Sequence, residues 1–403
     1  MKQKKYFITG GAGFIGANFV KYLIASYGND VEVLIADSLT YAANLDTIAT
    51  ELGRDNVSLL KADIRDADAM EQALKDFNPD YMVNFAAETH VDRSVTGPRI
   101  FVETNVLGTH TLLEAARKAW GRGVGKDGDY VYAPGKRFLQ ISTDEVYGSL
   151  EKNCPDGMPI DMLAGLDRVV SGRERPVAYG TEFFTEVSPL SPRSPYSASK
   201  TSADLMVMAY FHTYKLPVNI TRCSNNYGPY QFPEKLIPLV INNLMEGKKL
   251  PVYGAGENVR DWLYVEDHAR AVDMVLNNGR PGEIYNVGGF NERRNIDIVK
   301  LIIDIVKEAV SENKAYCELL KTMPEHLTYD LIEYVRDRPG HDMRYAINPA
   351  KIAAELGWYP TVTFREGIVR TVRWYLDNPE WIKKVTSGEY RNYYQSMYEG
   401  KKL

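Results

Sequence analysis

The N-terminal stretch leaves few folds open. Lys5 to Thr9 is a short β-type run, Gly10-Gly11-Ala12-Gly13-Phe14-Ile15-Gly16 follows, and Ala17 to Tyr27 has a helical apolar pattern. Strand, glycine turn and helix in that order open a doubly wound α/β sheet. Gly10 allows the tight turn, Gly13 lets the backbone approach a pyrophosphate, and Gly16 lets the helix pack closely on the strand, so that negative charge rests on the helix N-terminus. The next strand, Val31 to Ala36, ends in Asp37, about twenty residues beyond the glycines, where the dinucleotide fingerprint places an acid. A carboxylate there accepts the adenosine ribose hydroxyls and repels a 2′-phosphate, which favours NAD over NADP. The alternative is an ordinary strand–turn–helix unit with no cofactor.

The same alternation continues. Val57 to Leu60 is a third strand, followed by Asp63-Ile64-Arg65-Asp66. Asp63 stands where an adenine edge is read, and a mere helix cap would look the same. Tyr81 to Phe85 is a fourth strand, and the small residues Ala86 and Ala87 after it let a cofactor backbone pass close by. Asn105 to Trp120 reads as a long helix and Gly121 to Lys136 as a glycine-rich surface loop. Alternating strands and helices predict an α/β fold, a Rossmann-type doubly wound parallel sheet. The expected division is a nucleotide-binding domain mainly in residues 1–222 and a smaller substrate-binding region mainly in 223–403, with some segments of the second returning to the first.

Chemistry enters with Phe138 to Gly148. An apolar run leads into Thr143, Asp144 and Glu145, and Gly148 closes the stretch. Ligands of open α/β sheets bind beyond the carboxyl ends of the strands, so these three side chains would stand at the mouth of a site. Adjacent carboxylates raise the pKa of at least one, which makes one an acid while the other stays a base. Acidic residues answering a helix dipole would give the same letters. Further on, Tyr196 and Lys200 lie four apart on a helix running to Tyr214 and share its face. An ammonium beside a phenol favours the phenolate and makes a base near neutral pH, although a pair on a solvated helix has the same spacing. Between these stretches, Leu150 to Val187 mixes Gly, Pro and charge without a firm period. It reads as a largely irregular inserted excursion, a lid or a tolerated insertion.

Beyond Arg222, Asn225-Asn226-Tyr227-Gly228-Pro229 is rich in amides and turns, and a helix follows to Met245. Arg260 and Arg338 suit bidentate phosphate binding, or surface ion pairs. Asp297 to Val310 is an amphipathic helix, and the Trp- and Tyr-rich tail reads as helix packed on a lobe surface. With 403 residues, 44% of them hydrophobic, and a formal charge of -5, the chain can bury a large core and has no basic block for nucleic acid. Three widely spaced cysteines and six histidines without ligand spacing suggest neither a disulfide framework nor a metal site. No signal peptide or membrane-spanning run is read, so the expected location is the cytoplasm.

Seven motifs taken together carry a resemblance: Thr9 to Gly16, Ala86 to Ser94, Thr143 to Gly148, Tyr196 to Lys200, Asn225 to Pro238, Val259 to Ala269 and Asp337 to Asp342. They resemble the extended short-chain dehydrogenase/reductase family, and within it the dTDP-glucose 4,6-dehydratases. The Thr-Asp-Glu run is the narrow part of the match, since related 4-epimerases lack the Asp-Glu pair. Gly121 to Lys136 and Leu150 to Val187 look longer than the family's usual connections. The resemblance implies an NAD-dependent hydro-lyase of deoxysugar biosynthesis, a dTDP-sugar as substrate, and a homodimer paired through Asn105–Trp120 and Ser199–Tyr214. It implies no metal, no membrane and no nucleic acid.

By the same resemblance, Tyr196 with Lys200 takes the proton of the sugar C4 hydroxyl, Thr143 orients that hydroxyl, Glu145 takes the C5 proton, and Asp144 protonates the departing C6 hydroxyl. Cofactor contacts fall on Gly10, Gly13, Phe14, Ile15, Gly16, Asp37, Ser38, Leu39, Thr40, Asp63, Ile64, Phe85, Ala86, Ala87, Glu88, Thr104, Tyr196, Lys200 and Asn226. Substrate contacts fall on Thr89, Thr143, Asn225, Lys235, Leu236, Pro251, Tyr253, Arg260, Asn295, Asp337, Arg338 and His341, with Arg260 on the diphosphate. A 4-epimerase would need Tyr196, Lys200 and NAD but not the two carboxylates. A nucleotide sensor would need none of the acid–base set.

Overall fold

The computed structural model describes residues 3–154, 156–159 and 177–386. Four strands come first: β1 (Lys4–Thr9), β2 (Val31–Asp37), β3 (Val57–Lys61) and β4 (Tyr81–Asn84). A hairpin, β5 (Gly121–Val124) and β6 (Tyr130–Tyr132), precedes β7 (Arg137–Thr143). The short pair β8 (Met158–Pro159) and β9 (Val177–Ala178) is followed by β10 (Val218–Cys223), β11 (Asn225–Tyr227), β12 (Leu250–Tyr253), β13 (Val259–Tyr264), β14 (Ile284–Val287), β15 (Glu292–Arg294) and β16 (Ile332–Val335).

Seven of these form one sheet in the order β14-β10-β7-β4-β1-β2-β3, every neighbouring pair parallel. The strands are apolar on both faces, as they must be when helices cover both. The helices Phe14–Tyr27 and Val265–Asn278 pack on one face. Ala67–Phe77, Thr109–Trp120 and Pro195–Tyr214 pack on the other. The fold is therefore the expected Rossmann-type sheet. Register places Thr9 beside Ala36 and Asn84, and Thr143 beside Cys223. The chain order reverses on either side of β1, so a crevice opens above the carboxyl ends of β1 and β4.

A second core lies among the helices Leu236–Glu246, Asn295–Glu312 and Phe364–Asp377, beside the small sheets β11-β13-β15 and β12-β16. Residues after the glycine-lined half also serve the large sheet: β14 is its edge, and Val265–Asn278 covers one face.

Four details differ from the sequence reading. Residues 121–136 contain the antiparallel β5–β6 hairpin; its glycines and charges hid the apolar Val124, Tyr130 and Val131. The helix read from Asn105 starts at Pro98 and passes through a wider π-type turn, Val102–Gly108. Among the described residues, the excursion from Leu150 is tied by β-bridges to the body at two points and to itself at one: Leu150 bridges Arg344, Phe184 bridges Ile347, and β8 pairs with β9. Residues 155 and 160–176 of that excursion lie outside the described residues. Lastly, the tail helix is core rather than cladding, with Phe364, Ile368, Val372 and Tyr375 buried.

Candidate active site

Two cavities meet above the carboxyl ends of the strands. The first runs over β1, β2 and β4. Gly10 has φ 68°, and a Cβ there would lie 2.6 Å from the Ala86 nitrogen; one on Gly16 would lie 2.3 Å from the Gly10 oxygen. Both positions therefore require glycine. No side chain caps the Phe14–Tyr27 helix at Gly13, which leaves its first N–H groups to an anion. Asp37 ends β2 buried, accepting from the Ala12 N–H at 2.9 Å and the Leu39 N–H at 2.8 Å. Burial raises its pKa. Glycine turn, open helix terminus and acidic strand end together fit a dinucleotide without a 2′-phosphate.

Every cofactor residue named from the sequence lines this cavity except Leu39. Leu39 lines the neighbouring recess with Tyr41 and Arg93. It has φ 55° and donates its N–H to Asp37. Asp63 is not a helix cap, since Asp66 caps the following helix. Its carboxylate is instead engaged by the Arg65 guanidinium at 2.7 Å, which holds its pKa down.

The second cavity lies between the lobes and shares Glu145, Asn225, Asn226, Gln231, Glu234 and Lys235 with the first. Leu236, Pro251, Tyr253, Arg260, Asn295, Arg338 and His341 line it as expected, and Thr89 and Thr143 face the first cavity beside it. Asp337 lines neither. It stands behind His341, accepting from its Nδ1 at 2.6 Å and from the Arg338 N–H at 2.9 Å. Arg260 is buried with its ring-facing guanidinium 4.2 Å from the Tyr345 centroid, and its Nη groups donate to the carbonyls of Val259 and Asp342. Asn225 Oδ1, Trp262 Nε1 and Asn295 Oδ1 are buried without a protein partner. Such atoms cost free energy unless a ligand or water meets them.

The catalytic candidates converge where the cavities join. β7 ends at Thr143, and Asp144–Tyr147 is a single 3-10 turn capped by Thr143 Oγ1, which accepts from the Glu145 N–H at 3.3 Å. The dipole reading of the two acids is thus locally true, and it coexists with the site. Glu145 lines both cavities; Asp144 lines neither and lies beside Thr143, whose hydroxyl donates to it at 3.3 Å. Burial, Glu145 and Asp261 push Asp144 well above the carboxylate range, and its Oδ2 has no partner. Burial also raises Glu145, but Arg338, Lys235 and Arg260 pull it back. An acid and a base are held side by side with their pKa values pushed apart.

The Tyr196–Lys200 pair is buried, not on a solvated helix face. The Lys200 ammonium donates to the Ile141 carbonyl at 2.6 Å, and burial lowers its pKa. Burial and the Glu145 charge raise the Tyr196 pKa, against a hydrogen bond with Thr143. Asp92, Trp262 and Tyr345 also line the second cavity. Asp92 and Trp262 sat inside quoted motifs, Trp262 two residues from Arg260, whereas Tyr345 had no local signal.

Among the described residues no group of three His, Cys, Asp or Glu side chains could hold a metal, and no helix is long and apolar enough to cross a membrane. The NAD dependent epimerase/dehydratase family matches residues 6–288. The dTDP-glucose 4,6-dehydratase of Shigella flexneri is 46% identical over 401 residues, covering 98% of this chain and 99% of its own. Among solved structures, the dTDP-glucose 4,6-dehydratase DesIV of Streptomyces venezuelae, with NAD bound, is 41% identical with a TM-score of 0.76, covering 94% of this chain and 99% of its own. The dTDP-glucose 4,6-dehydratase of Bacillus anthracis, in complex with NAD, is 42% identical with a TM-score of 0.75, covering 95% and 99%. By sequence, by fold and by the residues gathered above its central sheet, the chain belongs to the NAD dependent epimerase/dehydratase family.

Proposed function

We propose that the chain dehydrates dTDP-glucose to the 4-keto-6-deoxy sugar nucleotide and water, with NAD in the glycine-lined cavity and the sugar nucleotide in the cavity between the lobes. The observation that carries this reading is the pair Asp144 and Glu145 on one turn at the end of β7, with Glu145 lining both cavities and Asp144 buried behind Thr143. An epimerase has no use for that pair. The relatives' shared activity supports the same reading.

NAD, when bound, supplies a reversible hydride acceptor. Tyr196 would take the C4 hydroxyl proton as a phenolate, with the Thr143 hydroxyl beside it; burial and the Glu145 charge oppose that ionisation, and the positive charge of a bound NAD+ would favour it. The C4 ketone acidifies the C5 hydrogen, which Glu145 removes. Asp144 would pass its proton by way of the Thr143 hydroxyl, their hydrogen bond reversing, to the departing C6 oxygen; water is lost across C5–C6, the C4 hydride returns to C6, and Glu145 returns a proton to C5. Lys200 fixes the end of β7 to the helix that carries Tyr196. Arg260 and Arg338 face the diphosphate. In this assignment residues 1–222 mainly bind the cofactor and 223–403 mainly bind the substrate.

Incubation of the purified protein with dTDP-glucose in heavy water, with no cofactor added, is expected to give a 4-keto-6-deoxy product carrying deuterium at C5, read by NMR and mass spectrometry. A product inverted at C4 without deuterium would make the chain an epimerase. A homodimer is part of the same proposal. Leu107, before the Thr109–Trp120 helix, and Leu205, on the Pro195–Tyr214 helix, are 55% and 58% exposed on the elements that the family resemblance pairs between copies. Sedimentation is expected to give twice the chain mass, and Leu205→Glu to halve it.

A further inference from the structure

One carboxylate crosses between the lobes at the sugar-nucleotide cavity. Asp92 lies in the first turn of Val91–Thr96, on the cofactor side. Its Oδ2 accepts from the Tyr253 hydroxyl at 3.1 Å, and its Oδ1 lies 3.5 Å from Arg338 Nη1. Asp92, Tyr253 and Arg338 all line the cavity, and the Asp92 side chain is only 6% exposed. The ion pair is longer than a good charge-assisted hydrogen bond, and Arg338 Nε is buried without a protein partner. The Arg338 guanidinium is therefore restrained but not saturated. Arg260, by contrast, gives its Nη groups to main-chain carbonyls.

We propose that Asp92 is a stand-in counter-ion: it holds Arg338 between turnovers and yields it to the diphosphate of a nucleoside diphosphate, so that its charge sets how tightly substrate and product are held. The inference rests on the sugar-nucleotide reading of this cavity. A guanidinium prefers two parallel bonds to phosphate oxygens over one long contact to a carboxylate. Once the diphosphate has Arg338, Asp92 keeps Tyr253 alone and faces a polyanion. That repulsion exists only with the anion bound, so it lowers affinity and speeds release.

The test is calorimetric titration of thymidine 5′-diphosphate into the full chain with NAD, for wild type, Asp92→Asn, Arg338→Met and the double variant. Asparagine keeps the shape and the acceptor for Tyr253 while removing the charge. Asp92→Asn is expected to bind on the order of tenfold more tightly, and to release the ligand correspondingly more slowly. Arg338→Met is expected to bind more weakly, and the gain from Asp92→Asn to shrink in its background. Unchanged or weaker binding by Asp92→Asn, or the same gain with and without Arg338, overturns the proposal. Inorganic pyrophosphate run in parallel keeps the two readings apart. Wild-type binding of pyrophosphate but not of thymidine 5′-diphosphate would remove the sugar-nucleotide function, and the Asp92 comparison would then be read on pyrophosphate.

Discussion

Glu145→Gln will stay folded and lose turnover by roughly a hundred- to ten-thousand-fold, the usual size of a general-base contribution, and C5 will no longer exchange with heavy water. Two carboxylates line both cavities, Glu145 and Glu234. Glu234 is committed elsewhere, accepting from the Tyr41 hydroxyl at 3.2 Å and lying 3.7 Å from Arg93. Asp144 lines neither cavity, and burial and the charges of Glu145 and Asp261 raise its pKa. Glu145 is left as the base. It must be ionised to act, and burial raises its carboxyl against the pull of Arg338, Lys235 and Arg260. The turnover rate should therefore fall as pH drops through a value above the ordinary carboxylate range. Glutamine cannot titrate, so the residual rate should lack that acid limb. A Gln variant with wild-type turnover and wild-type deuterium uptake would remove Glu145 from the reaction.

What could be read from the sequence was what neighbours along the chain determine. The strand–turn–helix at Gly10 to Gly16 is legible because each glycine answers a local demand, a positive φ at Gly10 and contact below 3 Å at Gly16. The Thr143–Glu145 turn and the Tyr196–Lys200 face are legible for the same reason. Tyr345 reaches the site from a segment outside every motif, so only the docking of the two lobes reveals it. The burial of Tyr196 was not legible, because spacing reports who is near and not how dry the place is. Leu39 and Asp337 also hold their neighbours: Leu39 donates its N–H to Asp37, and Asp337 accepts from His341. The β5–β6 hairpin was hidden because two short strands with glycines and charges between them have too few residues to show alternation.

The largest stability effect should come from the excursion that the sequence left open as lid or tolerated insertion. Arg344 is fully buried against Glu292, with side-chain exposures of 0% and 1%, in a bidentate pair at 2.8 Å for each contact. It also donates to the carbonyls of Gly180 at 3.2 Å and Glu182 at 2.8 Å, while the Tyr179 N–H reaches Glu292 Oε2 at 3.0 Å. One guanidinium thus fastens the described end of the excursion, β15 and the 342–347 segment that carries Tyr345. Arg344→Met would leave Glu292 buried and unpaired, which costs about 3–5 kcal/mol, read as a lowered denaturant midpoint at constant slope. Burial already raises the Glu292 pKa, and losing Arg344 raises it further. Between the unfolded and folded values the native variant then binds the extra proton, so its stability falls as pH rises and its deficit shrinks as pH is lowered. Glu292→Gln in the Arg344→Met background removes the stranded charge and should recover much of the loss, which a simple packing defect would not. A deficit below about 1 kcal/mol, within the range of ordinary surface substitutions, would make the excursion a tolerated insertion. The full deficit would make it part of the wall that holds the sugar-nucleotide cavity in shape.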